Sequence, residues 1–198
     1  MIKFLNNDNS KPFIAFRELY SAAIENNQQS IEAISISSYD TIASEVNSRF
    51  VNLKFVNKDK FIFFTNYDSP KSKEFKSHKQ ISASIFWESI NAQIRINATI
   101  KKTPIEFNNE YFSKRSKEKN ALAISSNQSN RIETYHDIET KYNQAKDTKN
   151  LRECPSYWGG YSFTPYKIEF WKGNKFRINK RDLYELIDDE WVHSILEP

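Results

Sequence analysis

The sequence predicts an α+β chain, mainly β, in which a barrel or sandwich of strands carries a few appended helices. Three observations lead there. Between residues 31 and 101 five segments have the composition or alternation of strands, and a single helix-like stretch interrupts them. Two strongly charged helix-like segments then stand apart, at 106–118 and about 131–147. The tail returns to strands after residue 160. A parallel α/β sheet would instead alternate strand and helix along the whole chain.

Residues 11–26 (KPFIAFRELYSAAIEN) read as an amphipathic helix, because Phe13, Phe16, Tyr20 and Ile24 are spaced to share a face. A strand follows at about 31–37, with Ile34 and Ile36 pointing one way and Ala33, Ser35 and Ser37 the other. Glu32 falls on the isoleucine side. Strands at about 46–56 and 60–65 are joined by Asn57-Lys58-Asp59, a hairpin turn. Asp68-Ser69-Pro70 has the form of a helix start, a capping residue before a first-turn proline, and a lysine-rich helix runs on to about His78.

Strands at 80–87 and 92–101 complete the run. The second has the clearest alternation: Ile94, Ile96, Ala98 and Ile100 face one way, Gln93, Arg95, Asn97 and Thr99 the other. Past Thr103-Pro104 come the two charged helices, joined by the polar stretch Ala123–Asn130. The tail is expected as strands at about 161–172 and 175–184, with a short one near Trp191. No repeat, low-complexity tract or linker divides the chain, so residues 1–198 are expected to form one domain.

The chain of 198 residues holds 3 glycines, Gly159, Gly160 and Gly173, where about 7% would be usual. Residues 1–158 therefore contain neither a Gly-x-Gly-x-x-Gly turn nor a P-loop. Any phosphorylated ligand must be held by side chains. The balance of 29 Lys+Arg against 25 Asp+Glu, net +4, is too mild for a nucleic-acid binder. The single Cys154 permits no intrachain disulfide and no cysteine zinc site, which suits a reducing compartment, and no histidine lies near it in sequence to activate it. His78, His136 and His193 fall in no catalytic or metal-binding spacing, so no metal is expected. Nothing approaches the ~20 apolar residues of a membrane span or a signal-peptide core; the expected location is cytoplasmic, without membrane or nucleic-acid partners.

Five groups of cationic and amide residues could hold an anion. Arg49 and Lys54 interrupt an apolar strand, although positions five apart face opposite ways unless the strand bends. Thr65-Asn66 with Ser69, Lys71 and Lys73 lie at a strand-to-helix junction, where free amides and the positive dipole end offer a phosphate site; a solvated lysine-rich helix is the alternative. Tyr111 and Arg115 are four apart on one helix face, as ordinary surface pairs also are. Gln128-Ser129 with Arg131 fits a site or a polar loop. Arg177, Asn179 and Arg181 share one face of an expected strand, a pattern that solvent exposure also produces.

These groups, in this order, resemble the pyridoxamine/pyridoxine 5′-phosphate oxidase family, from about residue 13 to Pro198. The matching stretches include Arg49-Phe-Val-Asn-Leu-Lys54, Phe63-Phe64-Thr65-Asn66, Ser69-Pro-Lys71, Gln93, Tyr111-Phe-Ser-Lys-Arg115 and Gln128-Ser129-Asn-Arg131. Pro155-Ser-Tyr-Trp158-Gly159-Gly160, Ile168-Glu-Phe-Trp171 and Arg177-Ile-Asn-Lys-Arg181 follow, and this tail is the most specific part. The resemblance implies a homodimeric FMN-binding split β-barrel, with 155–198 as a dimerisation and substrate segment. It implies oxidation of pyridoxine or pyridoxamine phosphate at C4′ to pyridoxal 5′-phosphate, with hydride passing to FMN and O2 as acceptor. A related FMN oxidase of the phenazine-pathway type, or a non-catalytic flavin- or pyridoxal-phosphate-binding barrel, are the alternatives.

Residue by residue, the resemblance implies that Arg49 and Lys71 hold the FMN phosphate, with Phe64, Thr65 and Ser129 as further contacts. Gln93 and Gln128 would hydrogen-bond the flavin, and Trp171 and Arg181 would reach it from the partner subunit. Lys54, beside the cofactor, would bind the substrate phosphate with Tyr111, Arg115 and the residue at Lys119, while Arg177 and Asn179 would form the catalytic cover over the substrate ring. This chain departs from the family pattern at four of these places. Pro70 replaces an arginine, Lys119 a serine, Asn179 a histidine and Lys180 an acidic residue.

Overall fold

The computed structural model describes residues 1–198. One mixed sheet contains β1 (Lys3–Leu5), β2 (Ala33–Asp40), β3 (Glu45–Asn52), β4 (Phe55–Asn57), β5 (Lys60–Asn66), β6 (Gln80–Trp87), β7 (Ala92–Lys102), β8 (Trp158–Lys172), β9 (Lys180–Ile187) and β10 (Glu190–Ile195). The helices are α1 (Lys11–Glu25), α2 (Pro70–Ser77), α3 (Ile105–Lys114), α4 (Lys117–Ser125) and α5 (Tyr135–Thr148). Strand order is β1-β4-β5-β8-β7-β6-β2-β3, with β9 joining β8 and β10 joining β9. Every pair is antiparallel except β1 with β4. The mainly-β, split-barrel expectation holds.

The split is visible along β8. Its 15 residues run beside β7 on one edge, and on the other edge they pair first with β5 (158–163) and then with β9 (167–172). Pro165 occupies the gap between those two partners, where its missing N–H interrupts no ladder on that side. A register shift between Asn97 and Ala98 of β7 falls opposite the same gap.

Alternation in β2, β6 and β7 sends Ile34, Ile36, Ile81, Ile85, Ile94 and Ile96 into one core. Helix α1 closes that core: Phe16 meets Phe61 at 5.0 Å and Trp87 at 5.7 Å between ring centroids. Its buried face is Phe13, Phe16, Tyr20 and Ala23; Ile24 is instead 42% exposed, because a helix of 3.6 residues per turn carries position 23 inward and 24 past the stripe.

Several boundaries differ from the sequence expectation. The strand expected over 46–56 breaks at Leu53-Lys54 into β3 and β4. Lys54 lines the cleft described below and Arg49 does not, so the two stay apart despite the break. The helix expected over 106–118 is two helices, with Arg115 in extended conformation (φ −73°, ψ 159°) and Ser116 capping α4 through the Lys119 N–H. Residues 131–134 precede α5 and are not helical; Thr134 and Asp137 form its capping box. Strand β9 begins at Lys180, so Arg177, Asn179 and Arg181 do not share a strand face. Phe176 and Arg177 both have φ 63° and turn the chain before the strand can start.

Eleven residues have positive φ, and none is glycine. The glycines serve close approach instead: a Cβ at Gly160 would lie 2.5 Å from Thr103 Oγ1, and one at Gly159 would collide with Tyr67 and Asn108. No helix is long and apolar enough to cross a membrane.

Candidate functional site

A cleft of about 500 Å³ opens where β3, β4 and β5 meet α3 and α4. It is lined by the side chains of Lys3, Lys54, Lys71, Lys114, Arg115 and Lys119, and by no aspartate or glutamate. Glu32 pairs with Lys54 at 3.4 Å and Glu110 with Lys114 at 2.5 Å, so these two lysines are partly neutralised from outside the cleft. A backbone hydrogen bond and the Lys54 ammonium hold the Glu32 carboxyl below its usual range, against the raising effect of burial.

At the floor lies Lys71, in the first turn of α2 just after Pro70, where the dipole is positive. It is only 7% exposed. Its Nζ donates to Thr65 Oγ1 and Ser69 Oγ, each at 3.1 Å. Burial, and then the nearby Arg49 charge, bring its pKa down to about 8, with Glu74 opposing. Thr65 in turn donates to Gln128 Oε1 at 3.0 Å, and the Asn66 N–H reaches the same oxygen at 3.3 Å. Residue Gln128 thus closes one end of the floor.

Arg49 stands behind this floor and does not line the cleft. Its Nη2 lies 2.8 Å from Glu74 Oε2, and Nη1 donates to Ser38 Oγ; Asn47 Nδ2 donates to the other Glu74 oxygen at 3.3 Å. Buried Glu74 therefore orients Arg49 against α2, one turn after Lys71.

The opposite wall is aromatic. Phe64 points away from the core because alternation along β5 turns Phe61 and Phe63 inward and leaves Phe64 on the other face. Its ring lies 3.9 Å from that of Tyr111 and 5.2 Å from that of Trp158, both near parallel, and Phe55 meets Tyr111 edge-on at 5.3 Å. The Arg115 guanidinium lies 4.5 Å over the Trp158 ring. Burial lowers the Arg115 pKa and raises that of Tyr111. Burial also pushes the Cys154 thiol up to about 11, the reverse of what an activated nucleophile needs.

The cleft thus gathers Lys54, Phe64, Thr65, Lys71, Tyr111, Arg115, Lys119 and Gln128. The other singled-out residues lie elsewhere on the chain. Gln93, Trp171 and Arg181 are side by side across β7, β8 and β9, Gln93 opposite Trp171 and Trp171 opposite Arg181. Arg181 Nε bonds Glu169 at 2.8 Å, and Glu169 also pairs with Arg95 at 3.0 Å. Arg177 and Asn179 lie in the turn before β9, where Asn179 Oδ1 accepts from Asn174 N at 3.1 Å. Ser129 is exposed with φ 71°.

Sequence reasoning did not single out Lys3, Glu74 or Asn120. Lys3 enters through β1, a three-residue strand too short to show a period, and Glu74 looks like an ordinary surface residue of a lysine-rich helix. Nothing in the sequence marks Asn120 as buried.

Residues 158–198 match the family described as the pyridoxine 5′-phosphate oxidase C-terminal dimerisation region. The chain is 34% identical over 189 residues to the pyridoxine/pyridoxamine 5′-phosphate oxidase of Leptospira biflexa, covering 94% of this chain and 89% of that one. It is 34% identical over 192 residues to pyridoxine/pyridoxamine 5′-phosphate oxidase 1 of Hydrogenovibrio crunogenus, covering 94% and 88%. In fold it is similar to PhzG from Burkholderia lata, solved with tetrahydrophenazine-1-carboxylic acid, at TM-score 0.90 and 20% identity over 96% of this chain and 93% of that one. A pyridoxamine 5′-phosphate oxidase-related FMN-binding protein from Nostoc punctiforme shares the fold at TM-score 0.76 and 11% identity over 92% and 97%.

Proposed function

Because the chain belongs to the pyridoxine/pyridoxamine 5′-phosphate oxidase family, we propose that it is an FMN-dependent oxidase making pyridoxal 5′-phosphate. Pyridoxine phosphate and O2 would give the aldehyde and H2O2; pyridoxamine phosphate would also consume water and release ammonia. The observation that carries the proposal is the buried Lys71 ammonium, whose hydrogen-bond partners are hydroxyls alone, in a cleft lined by no carboxylate. Such a donor set fits a phosphate and leaves a buried cation without a directly paired carboxylate until an anion binds.

FMN supplies the hydride acceptor that no amino-acid side chain provides. Lys71 and Thr65 would hold its phosphate, with the Glu74-paired Arg49 behind them. Phe64 and Gln128 would complete its contacts within the cleft, and Gln93 and Ser129, which lie outside the cleft of the single chain, are further expected contacts. Lys54, Tyr111, Arg115 and Lys119 bind the substrate phosphate, which leaves the reacting end of the ring directed away from that anchor. Arg177 and Asn179 cover the ring. Asn179 can hydrogen-bond there but cannot take up and release a proton near neutral pH as a histidine does, so its role is to orient.

The working unit is a homodimer of one-domain chains, in which segment 155–198 of a second copy brings Trp171, Arg177, Asn179 and Arg181 to the cleft. The match to a dimerisation region supports this. So does the sheet face bearing Gln93 and Trp171, where Phe86 is 55% and Phe50 76% exposed. The protein works in the cytoplasm, without nucleic-acid or membrane partners.

The test is to incubate FMN-loaded protein in air with each phosphorylated vitamer while following aldehyde and peroxide. Equal yields of aldehyde and peroxide are expected. Absence of turnover with FMN intact overturns the assignment and points to a related oxidase or a non-catalytic barrel.

A further inference from the structure

Arg115 is the one cation of the cleft's aromatic side held by two neutral groups: the Trp158 ring beneath it and the amide of Asn120, whose Oδ1 accepts from Nη1 at 3.0 Å. Asn120 is fully buried, at 0% exposure, on the first turns of α4. Its Nδ2 donates to Phe112 O at 2.8 Å and to Leu151 O at 2.7 Å. One amide therefore ties together the end of α3, the start of β8's lead-in and the guanidinium. The two Nδ2 bonds fix which way the amide points, so its oxygen is delivered to Arg115.

The chemistry of the residue type is specific. A half-buried arginine such as Arg115 still needs partners for its donors, and a carboxylate is the usual one. A carboxylate here would satisfy Arg115 and cancel its charge. An amide oxygen accepts the hydrogen bond and leaves the charge available. No ion pair engages Arg115, whereas Lys54, Lys114, Arg49 and Arg181 each have a carboxylate partner.

We propose that Asn120 is a positioning residue that orients Arg115 while keeping it cationic for the phosphate of the substrate. This rests on the reading of Arg115 as a substrate-phosphate ligand. Asn120 touches neither substrate nor cofactor and acts through Arg115.

Binding of 4-deoxypyridoxine 5′-phosphate, which has no oxidisable group at C4′, to FMN-loaded protein tests it by Trp fluorescence, beside its dephosphorylated form. Asn120→Ala is expected to weaken the phosphorylated probe about tenfold, as coupled contacting residues do, and to leave the dephosphorylated form unchanged. In an Arg115→Ala background the same substitution is expected to change nothing. The near-isosteric Asn120→Asp is expected to weaken the phosphorylated probe at least as much, since it neutralises Arg115. An equal loss from Asn120→Ala with and without Arg115, or an Asp variant that binds like wild type, overturns the inference. If Arg115→Ala itself binds like wild type, the phosphate role of Arg115 falls, and the inference with it. If Arg115→Ala is weak and both Asn120 variants are not, the inference alone falls.

Discussion

Lys71 and Thr65 meet at the floor of the cleft, Nζ 3.1 Å from Oγ1, with the second Lys71 bond going to Ser69. Three consecutive features of the chain produce this contact: the end of β5, the Asp68-Ser69 turn, and a helix start set by Pro70. Replacing Lys71 by Ala is expected to weaken FMN by about 1.5–3 kcal/mol, the range for a hydrogen bond to a charged group. Riboflavin, lacking the phosphate, should lose far less, and titration of both flavins checks this. Equal losses would remove Lys71 from the phosphate site.

A pH dependence follows from the same ammonium. Its pKa of about 8 in the ligand-free protein lies below the ordinary lysine value of 10.5. Between those values the unfolded chain holds more protons than the folded one, so this group's contribution to stability rises with pH across that window and is flat below it. A bound phosphate favours the charged form, so FMN binding takes up a proton above pH 8. FMN affinity should fall by up to about tenfold per pH unit there. Riboflavin affinity, and FMN affinity of Lys71→Met, should stay level across the same titration.

Asn108 ties α3 to the glycine pair of β8. Its Oδ1 accepts from Gly160 N at 2.9 Å and Thr103 Oγ1 at 2.5 Å, while Nδ2 donates to Tyr67 Oη at 3.1 Å. Asn108→Ala strands those buried groups and is expected to cost about 2–3 kcal/mol in urea unfolding. A loss under 0.5 kcal/mol, the range of neutral surface changes, would show that water replaces the amide at no cost.

The exposed sheet face gives a test of assembly. Phe86→Asp places a charge opposite Gln93 on the face assigned to the second copy. Light scattering should report a dimer for the wild type and monomers for the variant, with FMN retention reduced in parallel. A variant that stays dimeric and yellow would move the interface elsewhere.

Arg177→Ala is expected to spare FMN affinity and to lower turnover by about 10- to 100-fold, as loss of a positioning contact does. Measuring the rate per bound flavin separates the two effects. Loss of FMN with an unchanged rate per flavin would reassign Arg177 to the cofactor.

The strands of the sheet were legible where one face is apolar throughout: β7 alternates without exception from Ile94 to Ile100, and the burial follows it. β1 was not legible, because three residues paired in parallel to β4 owe their conformation to a distant partner. The break between α3 and α4 had a local signal in Ser116, a capping residue hidden among helix formers. In the cleft, the anion-binding groups could be found by type, since the cations Lys71 and Arg115 and the Tyr111 hydroxyl carry their chemistry in their side chains. Their supports could not. Asn120 and Glu74 matter through burial and through partners 31 and 36 residues away, Leu151 and Ser38, and no spacing announces such contacts. The expected strand through Arg177 failed for a backbone reason, two successive left-handed residues.

The glycine-free turns bear on the unfolded chain as much as on the folded one. A glycine at a left-handed position costs no steric strain but widens the set of conformations that folding must suppress. Here Asn, Asp, Ser and Lys hold most of those positions, and Phe176-Arg177 hold the least accommodating two. Each non-glycine residue there carries about 1–2 kcal/mol of strain, least for Asn and Asp. The chain has shifted the cost of turning from entropy lost on folding to strain kept in the native state. Strain of that kind is released when the turn opens, so it lowers the cost of opening the Phe176-Arg177 turn.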